Sequence, residues 1–138
     1  MGVPGTRDAE ERLELRLPVS SESVPIGRRA AAQFAEELDS DQTLLWRVRL
    51  AVSEAITNVV LHAHAAEECS SAHLTLTASA TAERLVVVVS DSGTGMRARE
   101  DSPGLGLGLG LISRASDELD VSVGPDGCGT AVRMVFLR

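Results

Sequence analysis

VVVVSDSGTG, residues 86–95, sets four consecutive valines against an aspartate, three hydroxyl residues and two glycines. With Leu85 in front, the apolar run reads as a strand at the centre of a sheet, ending at Asp91. Upstream, AHLTLTASA (72–80) alternates apolar and polar residues, the pattern of a partner strand, so 72–91 reads as a hairpin.

Further back, RLELRLPVS places Leu13, Leu15 and Leu17 between Arg12, Glu14 and Arg16, a half-buried strand that stops at Pro18. Residues 1–10 mix Gly, Pro and charge without a period and read as a flexible tail. The Ala-rich segment 23–38 predicts an amphipathic helix. After Asp39, either Ser40 or Asp41 is placed to cap a second helix from about Gln42 to Ala63. On that helix Leu45, Val48, Val52, Ala55, Ile56 and Val59 share one face. Arg47, Glu54 and Asn58 form a stripe along its edge, partly buried and within reach of a ligand.

Downstream of Asp91, residues 92–104 have the composition of a loop. GLGLGLGL (104–111) alternates glycine with leucine, and each glycine weakens helix or strand alike, so the next helix is expected only from Leu109 to Leu119. Two strands then flank the turn Pro125-Asp126-Gly127. The order β-α-α-β-β-loop-α-β-β predicts a two-layer α/β (α+β) sandwich, with helices on one face of a mostly antiparallel sheet.

The 138 residues suit one domain, over about 11–138. Aromatics are 2% of the chain, so the core is expected to rest on Ala, Val, Leu and Ile with Trp46, Phe34 and Phe136 as its aromatics. Thirteen basic against twenty acidic residues give a net charge of −7, which argues against a phosphate-backbone partner and hence against direct nucleic-acid binding. Cys69 and Cys128 lack metal-site spacing, and no apolar run is long enough to span a membrane. Those features predict a cytoplasmic protein.

Four local features carry chemistry. Glu54 and Asn58 stand four apart on a helix, a base beside a neutral oxygen donor suited to Mg²⁺. Asp91 ends a buried strand ahead of Gly93 and Gly95, an acceptor for an exocyclic amino group beside backbone a flat ring can approach. The glycines at 104, 106 and 108 expose backbone N–H groups at a helix start, an anion-binding arrangement without the lysine of a P-loop. Gly129-Thr130 opens the last strand with a hydroxyl. Each alone is also consistent with a solvated stripe, a turn, a hinge or a hairpin.

In that order, the four features resemble the asparagine box and the three glycine boxes of the GHKL, or Bergerat-fold, ATPases, a superfamily that includes histidine kinase catalytic domains and DNA gyrase. The wording LAVSEAITNVVLHAHA (50–65) is most similar to the anti-sigma-factor serine kinase branch. The resemblance covers about residues 10–138.

The resemblance implies ATP and Mg²⁺ as cofactors. Asn58 would coordinate the metal, Asp91 would accept from adenine, and Gly93, Gly95 and Thr130 would shape the adenine pocket. Gly104, Gly106 and Gly108 would lie at the phosphates. Glu54 would be the catalytic base toward a serine hydroxyl, and His62 would serve a structural hydrogen bond.

The implied function is an anti-sigma factor that binds a sigma factor and phosphorylates a STAS-domain anti-anti-sigma partner, as a homodimer for which the strand 11–18 offers an edge. The branch often carries an arginine just before the second glycine box, where this chain has Ser102-Pro103-Gly104, with Arg97 and Arg99 as possible substitutes. An ATP-binding interaction module without phosphoryl transfer is the alternative. A detached histidine kinase domain is a third reading, disfavoured by the missing dimerisation helices.

Overall fold

The computed structural model describes residues 11–39, 41–62, 73–91, 106–123 and 129–138. They form β1 (Glu11–Pro18), α1 (Ser23–Leu38), α2 (Gln42–His62), β2 (His73–Ala80), β3 (Arg84–Asp91), α3 (Gly106–Ala115), β4 (Glu118–Val123) and β5 (Thr130–Leu137). The sheet order is β1-β2-β3-β5-β4. All four pairings are antiparallel, so the sheet of the described residues has no parallel pair.

β3 is central, as its valines predict. Leu85, Val87 and Val89 are fully buried on one side, while Val86 and Val88 on the other are only half-buried. The alternation arises because the helices cover one face alone: α1 packs on β1 and β2, and α2 on β3 and β5. On β2 the same side carries Leu74, Leu76, Ala78 and Ala80, all buried. Two layers share one core, and α2 is its spine.

Every residue assigned to the buried face of α2 is at most 1% exposed. Asp41 starts the helix, its Oδ1 accepting from the Thr43 N–H at 3.1 Å. Trp46 is a correction: it is 61% exposed and lies outside the core. One position beyond Leu45, its side chain turns about 100° away from the apolar face.

α1 comes close to α2 because Gly27 has no side chain; a Cβ there would overlap Ile56 Cδ1. Its last turn is closed by Asp39, whose N–H donates to Ala35 O at 2.8 Å, and by Arg138, whose Nη2 donates to Leu38 O at 2.9 Å. Arg138 also donates to Thr81 O, tying the chain end to the β2–β3 turn.

The glycine run corrects the expectation of a helix from Leu109 to Leu119. Helix α3 begins at Gly106 and takes in Gly108 and Gly110, because packing along α2 overrides their low propensity. Leu109, Ile112 and Ala115, three apart, supply the face that packs on the core. The helix also ends earlier than expected. Ser116 donates both N–H and Oγ to Ile112 O, and the Asp117 N–H then turns to Val135 O at 2.7 Å, passing the chain to β4. The tail 1–10, the loop 92–104 and the turn at 125–127 lie outside the described residues.

Candidate functional site

One end of the sheet gathers the polar residues of the helix side. Alternation along β3 puts Asp91 on the face of Leu85, Val87 and Val89, and alternation along β5 puts Thr130 on the face of Val132, Met134 and Phe136. The two are direct partners in the β3–β5 ladder. Thr130 is 2% exposed, and Asp91 keeps its Oδ2 buried. Leu74 pairs with Asp91 on one side and Val123 with Thr130 on the other, completing a row of four strands.

Val123 and Val121 point to the helix side of β4 and, among the described residues, are 53% and 38% exposed. A carboxylate and a hydroxyl next to such apolar side chains suit a flat heterocycle that donates at its edge and is apolar on its faces. Gly129 precedes Thr130 with φ of 88°, a left-handed conformation that requires glycine and aims β5 into the ladder.

Above this row runs α2. Arg47, Glu54 and Asn58 lie within about 40° of one another around the helix. Asn58 is 8% exposed, and its Nδ2 finds no hydrogen-bond partner among the described residues. A buried amide normally has both ends satisfied, and among the described residues this one keeps a donor to spare. Its carbonyl oxygen is the hard, neutral donor that Mg²⁺ accepts when phosphates and water complete the shell. Glu54, one turn before it, is half-buried and within solvent reach.

Gly106 and Gly108 belong to the first turn of α3, where backbone N–H groups are free of helical partners. Gly93, Gly95 and Gly104 lie outside the described residues, as do Arg97 and Arg99. Asp91, Thr130, Glu54 and Asn58 are thus each placed on elements that pack together, and α3, which opens on these glycines, packs on α2.

Arg47 departs from its expected role as a ligand-accessible side chain. Its guanidinium pairs with Asp117 at 3.4 Å and lies 5.8 Å from the centroid of the Phe136 ring. A second feature escaped the sequence reading: Arg28, Arg29 and Arg49, with Glu36, line a cavity of about 440 Å³ on α1 and α2. Arg28 Nη1 is held by Ser53 Oγ at 3.3 Å. The signal was present as an arginine pair on one helix and a third on the next, but their convergence depends on the crossing of two helices.

Residues 17–136 match the family of the histidine kinase-like ATPase domain. An anti-sigma F factor of Clostridium acetobutylicum is 38% identical over 55 residues, 40% of this chain and 38% of that protein. An anti-sigma F factor of Pasteuria penetrans is 39% identical over 59 residues, 43% of this chain and 38% of that protein. The match thus spans well under half the length of either curated relative.

Among solved structures, the RsbU and RsbW domains of a Mycobacterium tuberculosis protein superpose with a TM-score of 0.71 at 18% identity, covering 92% of this chain and 32% of that one. The SiaB–SiaC complex of Pseudomonas aeruginosa gives 0.66 at 17% identity, covering 90% of this chain and 88% of the matched one. At these identities the likeness is one of fold.

Proposed function

The chain belongs to the histidine kinase-like ATPase domain family, which implies ATP binding, and we propose that it is an anti-sigma factor with protein serine kinase activity. In this reading it sequesters a sigma factor and phosphorylates a STAS-domain anti-anti-sigma partner. The observation that carries the nucleotide part is the Asp91–Thr130 pair beside the buried, partner-seeking amide of Asn58. The regulatory part is supported by the two anti-sigma F relatives.

Asp91 would accept from the adenine amino group, with the Thr130 hydroxyl next to it. Asn58 Oδ1 would hold Mg²⁺, which supplies charge neutralisation at the triphosphate. The first turn of α3 would face the phosphates, where its free N–H groups and dipole favour negative charge. Glu54 would take the proton from a serine Oγ as that oxygen bonds to the γ-phosphorus and the bond to the β–γ bridging oxygen breaks, releasing ADP.

Partner binding has its own support. In a chain of net charge −7, three arginines converge on one cavity, with Trp46 exposed on the same helix as Arg49. Arginine beside an exposed aromatic is the composition of an interface centre, here fitted to a protein segment bearing carboxylates. Homodimerisation through the edge strand β1 belongs to the same proposal.

The deciding experiment incubates the chain with γ-labelled ATP, magnesium and the STAS proteins encoded by the same genome. Acid-stable phosphoserine that vanishes in Glu54→Gln and Asn58→Ala is the expected result. ATP binding with no transfer to any partner supports the second reading, a nucleotide-gated interaction module, which Ser102-Pro103-Gly104 in place of a lid arginine favours. Acid-labile label would point instead to phosphohistidine.

A further inference from the structure

Three contacts converge on Asp117, the residue just before β4. Its Oδ2 accepts the Leu137 N–H at 2.7 Å and faces both terminal nitrogens of Arg47, at 3.4 and 3.5 Å. Its own N–H donates to Val135 O. The end of α3 is therefore fastened to β5 through the backbone and to the second turn of α2 through Arg47. Phe136, fully buried, lies under the guanidinium.

The other end of α3 is rich in glycine. Three of its first five residues are Gly106, Gly108 and Gly110, and a Cβ added at Gly110 would meet nothing within 4 Å. Leu109, Ile112 and Ala115 fix the helix on the core, and the two that are buried, Ile112 and Ala115, sit in its second half, toward the end that Asp117 holds.

The lengths are comparable. From Arg47 to Asn58 is eleven residues along α2, an axial rise of about 16 Å, and from Ala115 back to Gly106 is nine along α3, about 14 Å, with Ser116 between the helix and Asp117. With Arg47 against Asp117 and α3 packed along α2, the glycine end of α3 runs back toward the Asn58 end of α2.

We propose that Arg47 and Asp117 form a positioning pair, setting the axial register of α3 on α2 so that its glycine end stands opposite Asn58. This rests on the nucleotide reading of Asn58, and it assigns the pair to the phosphate end of the ligand rather than the adenine end. The pair touches neither.

The test compares the intact chain with Arg47→Gln and Arg47→Lys, titrating Mg-ATP and, separately, adenosine, which lacks phosphates. Arg47→Gln should weaken Mg-ATP about fivefold, the upper range for one partly exposed ion pair, with adenosine unchanged. Arg47→Lys, which keeps the charge, should restore most of the loss. Hydrogen exchange in the nucleotide-free proteins is measured alongside: the amides of 106–110 should exchange faster in Arg47→Gln, with those of β3 unaltered.

Parallel weakening of ATP and adenosine would overturn the proposal in favour of a purely structural salt bridge. Unchanged exchange at 106–110 would overturn it as well. If the unsubstituted chain binds no Mg-ATP, the nucleotide reading of Asn58 fails, and the exchange result alone decides whether the pair governs α3.

Discussion

Asp91 and Thr130 face each other across the β3–β5 ladder, on the helix side of the sheet and at its end. As the proposed adenine acceptor, Asp91 would discriminate between purines. Adenine presents an amino group at C6, whereas guanine and hypoxanthine present an oxygen there that a carboxylate repels. A hydrogen bond to a charged group contributes about 1.5–3 kcal/mol, so ATP should bind roughly ten- to a hundredfold more tightly than GTP or ITP. Asp91→Asn should lower ATP affinity by a similar factor and narrow the gap to ITP, because the new amide can donate to a C6 oxygen. Titration calorimetry with the three nucleotides reads both effects.

Asn58 makes an opposite prediction for stability. Its amide nitrogen is buried without a partner among the described residues, an arrangement that costs free energy in the empty protein. Asn58→Ala should therefore leave the melting temperature within about 4 °C of the unsubstituted chain or raise it, while nucleotide affinity falls. The size of that fall should equal the effect of EDTA on the unsubstituted protein, and EDTA should add nothing in the variant. Thermal melts with and without Mg-ATP measure both quantities.

The close approach of α1 to α2 can be tested by a reversal of sign. Gly27→Ala gains about 1 kcal/mol of helix propensity, but its new methyl must displace Ile56 Cδ1, which is fully buried. Overpacking costs about 1–3 kcal/mol, so the net change should be destabilising. In an Ile56→Val background the obstructing carbon is absent, and there Gly27→Ala should stabilise. Urea unfolding of the four proteins gives the cycle; equal effects in both backgrounds would mean the contact is not tight.

How much of this was legible depends on whether the deciding force was local. The valines of β3, the alternation of β2 and the six-residue apolar face of α2 are local patterns, and the structure follows them. So does Asp91, because the end of a strand can be read from the residues that stop it. The glycine run was misread because propensity counts each glycine against a helix, whereas α2 supplies a packing surface that no local window contains. Trp46 misleads similarly: scarcity of aromatics suggested burial, but its angle from Leu45 decides otherwise. The arginine cavity and the Arg47–Asp117 pair join residues up to 70 positions apart and depend on tertiary packing.

Asp41 offers the most local test. Its Oδ1 accepts the Thr43 N–H, satisfying one of the donors that the first turn of α2 leaves open. The residue before Gln42 has no other contribution to the core, so Asp41→Ala should remove the cap and little else, costing about 1 kcal/mol. Asp41→Ser or Asp41→Asn should recover most of that loss, since each keeps an acceptor of similar reach. Because α2 carries Glu54 and Asn58 at its far end, four turns from the cap, Mg-ATP affinity should be unchanged in all three variants. A loss of affinity in step with the loss of stability would show instead that α2 frays as one unit from its start to the site.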